Sequence, residues 1–399
     1  MVNAPPAYDP FAYAIHEDPY PTYAWMREHQ PLYRNDQRDF WALSRHADVL
    51  WALRDPALFS NRNGISLEPD LWGPDAVKTS FFLAMDPPDH GAMRRLTGSV
   101  FKPGWVASKE RRIRELARAR LAPLRDGAPM DLAADYAAAL PNDVMCELVG
   151  IPAADRDRIR ADNDLLNECE DGTPVRSAAT RDAGMRLAFY YVSLVNDRRK
   201  RPRDDLTSTM IQARVADDRP LTDAQLVAFL FLMVSATNES TGKLISNALY
   251  HGWRLPDVRR AGLDGHAVAW GRESLRYDSP SQMMARTLAV DTVIHGTRVP
   301  AGARIALLPA SANRDERVFP QPDVFDLDRD TSKELSFGNG PHFCLGAPLA
   351  RLEITVALEE LGALIDDYEL DERRTRRIHS PHQRGFAALP CTVTRRVGS

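Results

Sequence analysis

Cysteine is scarce in this chain. Its 399 residues hold four, Cys146, Cys169, Cys344 and Cys391, scattered and without a Cys-x-x-Cys pair. That scatter suggests neither a disulfide framework nor a cysteine-based zinc site, and fits a reducing cytoplasm. Long apolar runs are missing as well. The longest, Leu226 to Val234, falls far short of the ~20 residues that cross a bilayer, so no membrane anchor is expected. Met1 to Pro10 lacks the charged and apolar regions of a signal peptide, and the expected location is cytoplasmic. Nor is there an excess of positive charge. The formal net charge is -4, which argues against nucleic acid as a partner. The one basic run, Arg198 to Arg203, reads as a solvated helix end. Neither an internal repeat nor a linker is visible, so residues 1–399 are expected to form a single domain.

What is present is ordinary globular material, 44% hydrophobic and 27% charged. Helical periodicity dominates. A short helix is expected near Tyr20 to His29, then a half-buried strand at Asp39 to Ser44, then a helix from Asp48 that Pro56 ends. Asp89 to Gly127 and Asp131 to Val149 read as helical. Two more helices fall within 153–200, split at Asp171-Gly172-Thr173-Pro174. Asp204 and Asp205 are placed to cap the next helix. Thr222 to about Trp253 is one long helix, and 266–277 another. Ser281 to Leu308 alternates like strands, with turns at His295-Gly296 and Pro300-Ala301-Gly302. Strand-like runs recur near Phe386 and Thr392. The expected fold class is mainly α with a small β portion.

One stretch concentrates chemistry: Phe337-Gly338-Asn339-Gly340-Pro341-His342-Phe343-Cys344-Leu345-Gly346. After it, Leu345, Leu349, Leu352 and Val356 mark one face of a helix. Cys344 therefore stands at a helix N-terminus, where dipole and free amides favour the thiolate, the metal-binding form. A lone cysteine is more often a buried structural residue. The loop alone would also permit a Cys-His hydrolase using His342, but no orienting third residue is apparent. The full pattern Phe-x-x-Gly-x-x-x-Cys-x-Gly is more specific. It resembles the haem-ligand loop of the cytochrome P450 family, in which a cysteine thiolate holds the haem iron.

Three further stretches, in the family's order, carry the same resemblance. Glu273-Ser274-Leu275-Arg276 is similar to the family's signature helix, whose pair joins a later arginine, here Arg329, in a structural network. Met85-Asp86-Pro87-Pro88-Asp89-His90 with Arg94 resembles a haem-propionate site, and His342 and Arg286 match two further propionate contacts. Carboxylates taken inside a protein need such cationic or hydrogen-bonding partners. Ala236-Thr237-Asn238-Glu239-Ser240-Thr241 resembles the oxygen-activation site, with Glu239 and Ser240 as the acid and alcohol that relay protons. Two positions depart from the pattern. Thr237 stands where the family usually has glycine, and Ser240 where it usually has threonine.

The resemblance covers nearly the whole chain. It implies the cytochrome P450 fold, a triangular helical prism with haem b between the long helix and the cysteine-loop helix. Cys344 would be the metal ligand, with Phe337, Gly338 and Gly346 beside the cofactor. It implies a monooxygenase that uses dioxygen to hydroxylate or epoxidise a small lipophilic natural product, in bacterial secondary metabolism. No stretch resembles a flavin-binding segment, so the expected electron donors are a ferredoxin and its reductase, docked near Lys102, Arg112 and Arg351. Expected substrate contacts are Phe81, Phe82, Val234, Thr237, Gln282, Met283 and Met284, with others from about 165–185. The altered Thr237/Ser240 site and nearby polar residues motivate a second reading, aryl coupling of a peptide. A non-catalytic haem-binding protein is a third.

Overall fold

The computed structural model describes residues 7–98, 100–215 and 218–396; within them, the side chain of Glu239 is not described. The long helix, Asp223–Arg254, runs through the middle of the core. It starts where the sequence signals a start. Thr222 accepts the Gln225 amide, and the Gln225 side chain accepts the Thr222 amide, a reciprocal cap. Around it pack Ala139–Val149, Ala178–Lys200, Ala267–Tyr277 and the cysteine helix Ala347–Leu364. Leu226, Phe229, Leu230, Ile245 and Leu249 on the long helix are all essentially buried. The two helices that bracket the site are thus tied to one apolar core.

The main sheet is built from distant segments. Its order is Leu32–Asn35, Phe40–Leu43, Arg304–Leu307, Met284–Leu288, Phe59–Ser60. Only the Phe40–Leu43 and Arg304–Leu307 pair is parallel, with Trp41 opposite Ile305. The strand Met284–Leu288 is central, and its two faces separate two environments. Met283 and Ala285 join Tyr8, Phe11, Tyr23 and Met26 in one apolar cluster. Met284 and Arg286 turn the other way, toward the site. A second sheet aligns Met130–Asp131, Pro390–Arg395 and Ile365–Leu370. His295 and Gly296 both have positive φ and close the tight hairpin between Thr292–Ile294 and Thr297–Val299.

Some elements differ from expectation. Asp89 to Gly127 is three helices, Asp89–Gly98, Pro103–Ser108 and Glu110–Arg125. Pro103 drives Lys102 into an extended conformation and breaks the run. Asp131 to Val149 opens with a wider π-type segment, Leu132–Ala137, capped by the Asp131 carboxylate, before Ala139–Val149. The strand Ile365–Leu370 follows the cysteine helix with no breaker between them, which is why periodicity did not reveal it. No helix among the described residues is long and apolar enough to cross a membrane.

Candidate active site

The cysteine loop is held from both sides. Gly338 and Gly340 have φ of +70° and +67°, a region that residues with a Cβ rarely adopt. A Cβ on Gly340 would also stand 2.6 Å from the Leu53 carbonyl oxygen, so the loop lies directly on the helix His46–Arg54. Arg54 donates to Asn339 at 2.9 Å. The Cys344 amide donates to the Phe337 carbonyl at 2.8 Å, which closes the loop and turns the sulfur inward. The helix begins three residues later, at Ala347, with Pro348 in its first turn.

Burial pushes the Cys344 thiol up from its ordinary value, while the amides of Gly346 and Ala347 and the charge of Arg94 act against that. In the protein alone burial dominates, which differs from the thiolate expected of a helix N-terminus. A metal cation bound against the sulfur would supply the missing charge and favour the thiolate.

The sulfur faces a cavity of about 280 Å3. Phe337, Gly338, Gly346 and Leu349 form its floor with Cys344, and Leu232, Met233, Ala236, Thr237 and Ser240 of the long helix contribute the opposite wall. On one side Arg94, Arg286 and His342 converge. His90 does not line the cavity; it stacks behind His342 with ring centroids 3.8 Å apart. His90 Nε2 and both ring nitrogens of His342 are buried without a well-formed hydrogen bond. Burial and then the Arg94 charge lower His90 to about 4. His342 falls to about 2, through burial first, then Arg286, His90 and Arg94. Arg286, buried, is lowered to about 10, and the carboxylate that acts against this is Asp86. Among the described residues, its guanidinium hydrogen-bonds only to the Ala285 carbonyl, at 2.7 Å, and the Met284 sulfur, at 3.6 Å. A corner this rich in donors and positive charge fits carboxylates entering from the cavity. The residues therefore fit haem: a sulfur on the floor, glycines beside it, and an underused cationic corner for the propionates.

On the long helix, Ser240 Oγ donates to the Ala236 carbonyl at 2.8 Å and Thr237 Oγ1 to the Met233 carbonyl at 3.0 Å. Both hydroxyl protons are thus turned back onto the helix, leaving their oxygens to accept. Of the acid–alcohol pair, the Glu239 side chain lies outside the described residues.

Four expected substrate contacts do not reach the cavity. Gln282 is held in the core, donating to the Ser279 carbonyl at 2.6 Å and accepting from the Tyr23 hydroxyl at 3.2 Å. Met283 lies in the aromatic cluster on the same side. The alternation that points Met284 and Arg286 inward points Met283 outward, whereas Gln282 lies before the strand begins and is kept out by its own bonds to Ser279 and Tyr23. Val234 is buried on the face it shares with Asn238, which donates to Asn142 at 3.1 Å. Phe81, at φ +47°, packs behind Phe82 and against Phe229, and only Phe82 lines the cavity. The 165–185 region also stays out. Its Asp171 instead accepts from the Tyr13 amide at 2.7 Å. Residues that sequence reasoning missed include Leu232 and Met233, one helix turn before Thr237, and Gln383, Thr241 and Glu353. Gln383 adjoins Arg384-Gly385, which already carried part of the resemblance, and its loop meets Ser281 through a β-bridge.

Away from the cavity, Glu273 and Arg276 are buried and joined by two hydrogen bonds, 2.6 and 2.9 Å. Arg329 completes the trio at 3.2 Å from Glu273. Arg276 also binds the carbonyls of Asn313 and Pro322, and Arg329 those of Pro320 and Gln321. The trio pins the irregular segment that leads into the cysteine loop.

Comparison with known proteins agrees with this geometry. The family model for Cytochrome P450 matches residues 269–391. The "Putative cytochrome P450 123" of Mycobacterium tuberculosis is 44% identical over 391 residues, 97% of each chain. The chain belongs to the cytochrome P450 family. A vitamin D(3) 25-hydroxylase from Pseudonocardia autotrophica is 36% identical over 396 residues, 97% of this chain and 96% of the relative. The solved structure of cytochrome P450 CYP109Q5 from Chondromyces apiculatus superposes with a TM-score of 0.86 at 32% identity, covering 98% of each chain. The fold is the cytochrome P450 fold, the cofactor is haem b, and the family chemistry is monooxygenation.

Proposed function

We propose that this P450 hydroxylates a compact lipophilic substrate, taking electrons from a reduced ferredoxin. The observation that carries the reading is the placement of Cys344 on the floor of a cavity whose upper walls are mostly aliphatic: Ile65, Leu83, Leu232, Met233, Ala236 and Met284. Such walls gain from removing apolar surface from water, about 25 cal/mol per Å2, and offer few polar groups to orient a charged ligand. A relative named as a vitamin D(3) 25-hydroxylase acts on a molecule of this character. Haem, when bound, supplies the activation of dioxygen at its iron.

The chain's own residues have separate roles in this reading. Cys344 is the sulfur ligand. His342, Arg94 and Arg286 would hold the propionates, with His90 stacked behind His342. Glu273, Arg276 and Arg329 secure the approach to the loop. Ser240, with Glu239, passes protons into the cavity, and Thr237 narrows the space above the floor. The reaction balances as substrate C–H plus dioxygen, two electrons and two protons giving substrate C–OH and water. The electrons come from the ferredoxin and its reductase.

The test is a spin-state titration of the purified holoprotein with two sets of compounds: vitamin D3, testosterone and terpenoids in one, short peptides rich in Tyr, Trp and His in the other. A shift to high spin with the first set, followed by one labelled oxygen atom from dioxygen in the product, is the expected result. A shift with peptides alone, and a product without label, would instead establish aryl coupling. A protein that reduces steadily but never turns over would be a non-catalytic haem binder.

A further inference from the structure

The long helix meets the cavity with one face and is gripped from behind on the other. Met233, Thr237, Ser240 and Leu244 line the cavity, at steps that follow the helix turn. Ser235, Asn238 and Gly242 fall on the opposite side. Asn238, buried, donates from Nδ2 to Asn142 Oδ1 at 3.1 Å. Asn142, fully buried, donates in turn to the Arg156 carbonyl at 3.2 Å. Ser235 Oγ donates to Oδ1 of Asn163, also fully buried, at 2.6 Å. Both ties therefore end on one helix, Arg156–Asn167. Gly242 completes the grip. A Cβ there would stand 3.0 Å from the Ala137 carbonyl oxygen and from Ala138 Cα, so the long helix lies directly on that neighbouring backbone.

Packing alone does not account for three asparagines in this place. Leucines would bury more apolar surface and strand nothing, whereas Asn238 keeps its Oδ1 buried without a well-formed hydrogen bond. Apolar ridges can slip against one another, but a buried amide pair closes in one register only. That register bears on the cavity, because Thr237 directly precedes Asn238 and Ser240 follows it by two. Their hydroxyls are bonded to carbonyls of their own helix, so the oxygens go where the backbone goes. We propose that Asn238, with Ser235, is a positioning residue of this enzyme. From the back of the long helix it fixes the rotation and the axial place of Thr237 and Ser240 over the cavity. A misplacement of about 1 Å at such groups can slow a reaction roughly a hundredfold. The purpose rests on the monooxygenase reading, in which Ser240 passes protons into the cavity, but the positioning is observable without turnover.

The probe is the infrared stretch of carbon monoxide added to the reduced, haem-loaded, full-length protein, a band that responds to polar groups beside the bound gas. It is expected to be narrow in the parent and displaced or broadened in Asn238→Leu and in Ser235→Ala. In ferredoxin-driven reactions with vitamin D3 present, both variants are expected to release several-fold more of their electrons as hydrogen peroxide. The double variant Asn142→Leu/Asn238→Leu separates positioning from stability, since an apolar pair in place of the amides is expected to recover most of the melting temperature. Across the set, the band and the peroxide share should follow the loss of the amide pair and not the melting temperature. If they follow the melting temperature instead, Asn238 only stabilises the fold and the proposal is overturned. An unchanged band in Asn238→Leu overturns it too. If that variant does not fold, Ser235→Ala, which removes a single hydroxyl, decides by the same band. Failure of the monooxygenase reading looks different: the parent protein would give no product, while the carbon monoxide band would still change with Asn238.

Discussion

His342 concentrates the consequences of a single residue. Its ring nitrogens are buried and without well-formed hydrogen bonds, and Arg286, His90 and Arg94 all act on it. If it donates to a propionate, His342→Ala removes one charge-assisted hydrogen bond, about 1.5–3 kcal/mol. Transfer of haem to an excess of a haem-free acceptor protein should then be roughly tenfold to a hundredfold faster. An unchanged transfer rate would assign the propionate contacts to Arg94 and Arg286 alone. That Cys344, Arg94, Arg286 and His342 would meet at one cavity was expected beforehand through the family resemblance of the stretches that hold them. Glu353 and Gln383 were not. They reach the cavity from other segments, and nothing beside them in the chain signals what they will face. Glu353 in particular looks like any helical glutamate until its burial is known.

At the scale of elements, phase decides what a strand or helix presents. Strands at Ser281 to Leu308 were legible from alternation, but the inward set was not, since a shift of one residue exchanges Met283 and Ala285 for Met284 and Arg286. The Glu273–Arg276 pair was legible from its spacing, and the structure adds the reason for its consequence. Both are buried, so Arg276→Leu leaves the Glu273 carboxylate with Arg329 as its one remaining cation among the described residues and costs up to about 3–5 kcal/mol. That variant is expected to unfold at markedly lower temperature and to purify with little haem. Arg329→Leu should do less, because the Arg276 bonds to Glu273 remain.

A second contact joins three loops that sequence did not connect. Glu68 accepts from Ser66 and His382 at 2.9 Å each and lies 3.5 Å from Arg176. Burial would raise its carboxyl, but His382, Arg176 and Ser66 together lower it to about 2. Its folded value lies below its unfolded one, so the protein gains stability above about pH 4.5 and loses it as the pH falls toward 2. The size is at most about 3.5 kcal/mol, from ~1.4 kcal/mol per unit. Glu68→Gln should therefore lower the melting temperature clearly at pH 7 and much less at pH 3. An equal gap at both values would mean that the carboxylate's charge does not hold these loops.

Across the whole molecule, the helices were legible from periodicity, and their arrangement only through the family resemblance. The capped long helix and the cysteine helix announce themselves by periodicity. The parallel pairing of Phe40–Leu43 with Arg304–Leu307 joins segments with no local signal of each other. Packing of this kind also sorts the surface cations proposed to meet the ferredoxin. Arg112 is clamped by Glu147 at 2.8 Å and Glu115 at 3.0 Å. Arg351 stacks over Phe337 and leans toward Glu334 at 3.5 Å. Lys102 is exposed at the start of Pro103–Ser108, a helix that packs against the cysteine helix. Reversing Arg112 would set three acids together and disturb the fold as well as the surface. Lys102→Glu changes charge alone, so it is the cleaner probe. Reduction by ferredoxin should slow several-fold at low ionic strength, and the difference should close as salt shortens the screening length from about 10 Å at 0.1 M to about 3 Å at 1 M. Equal rates at low salt would place the electron donor on another face. A deficit that persists at high salt would mean that Lys102 supports the helix start rather than the encounter.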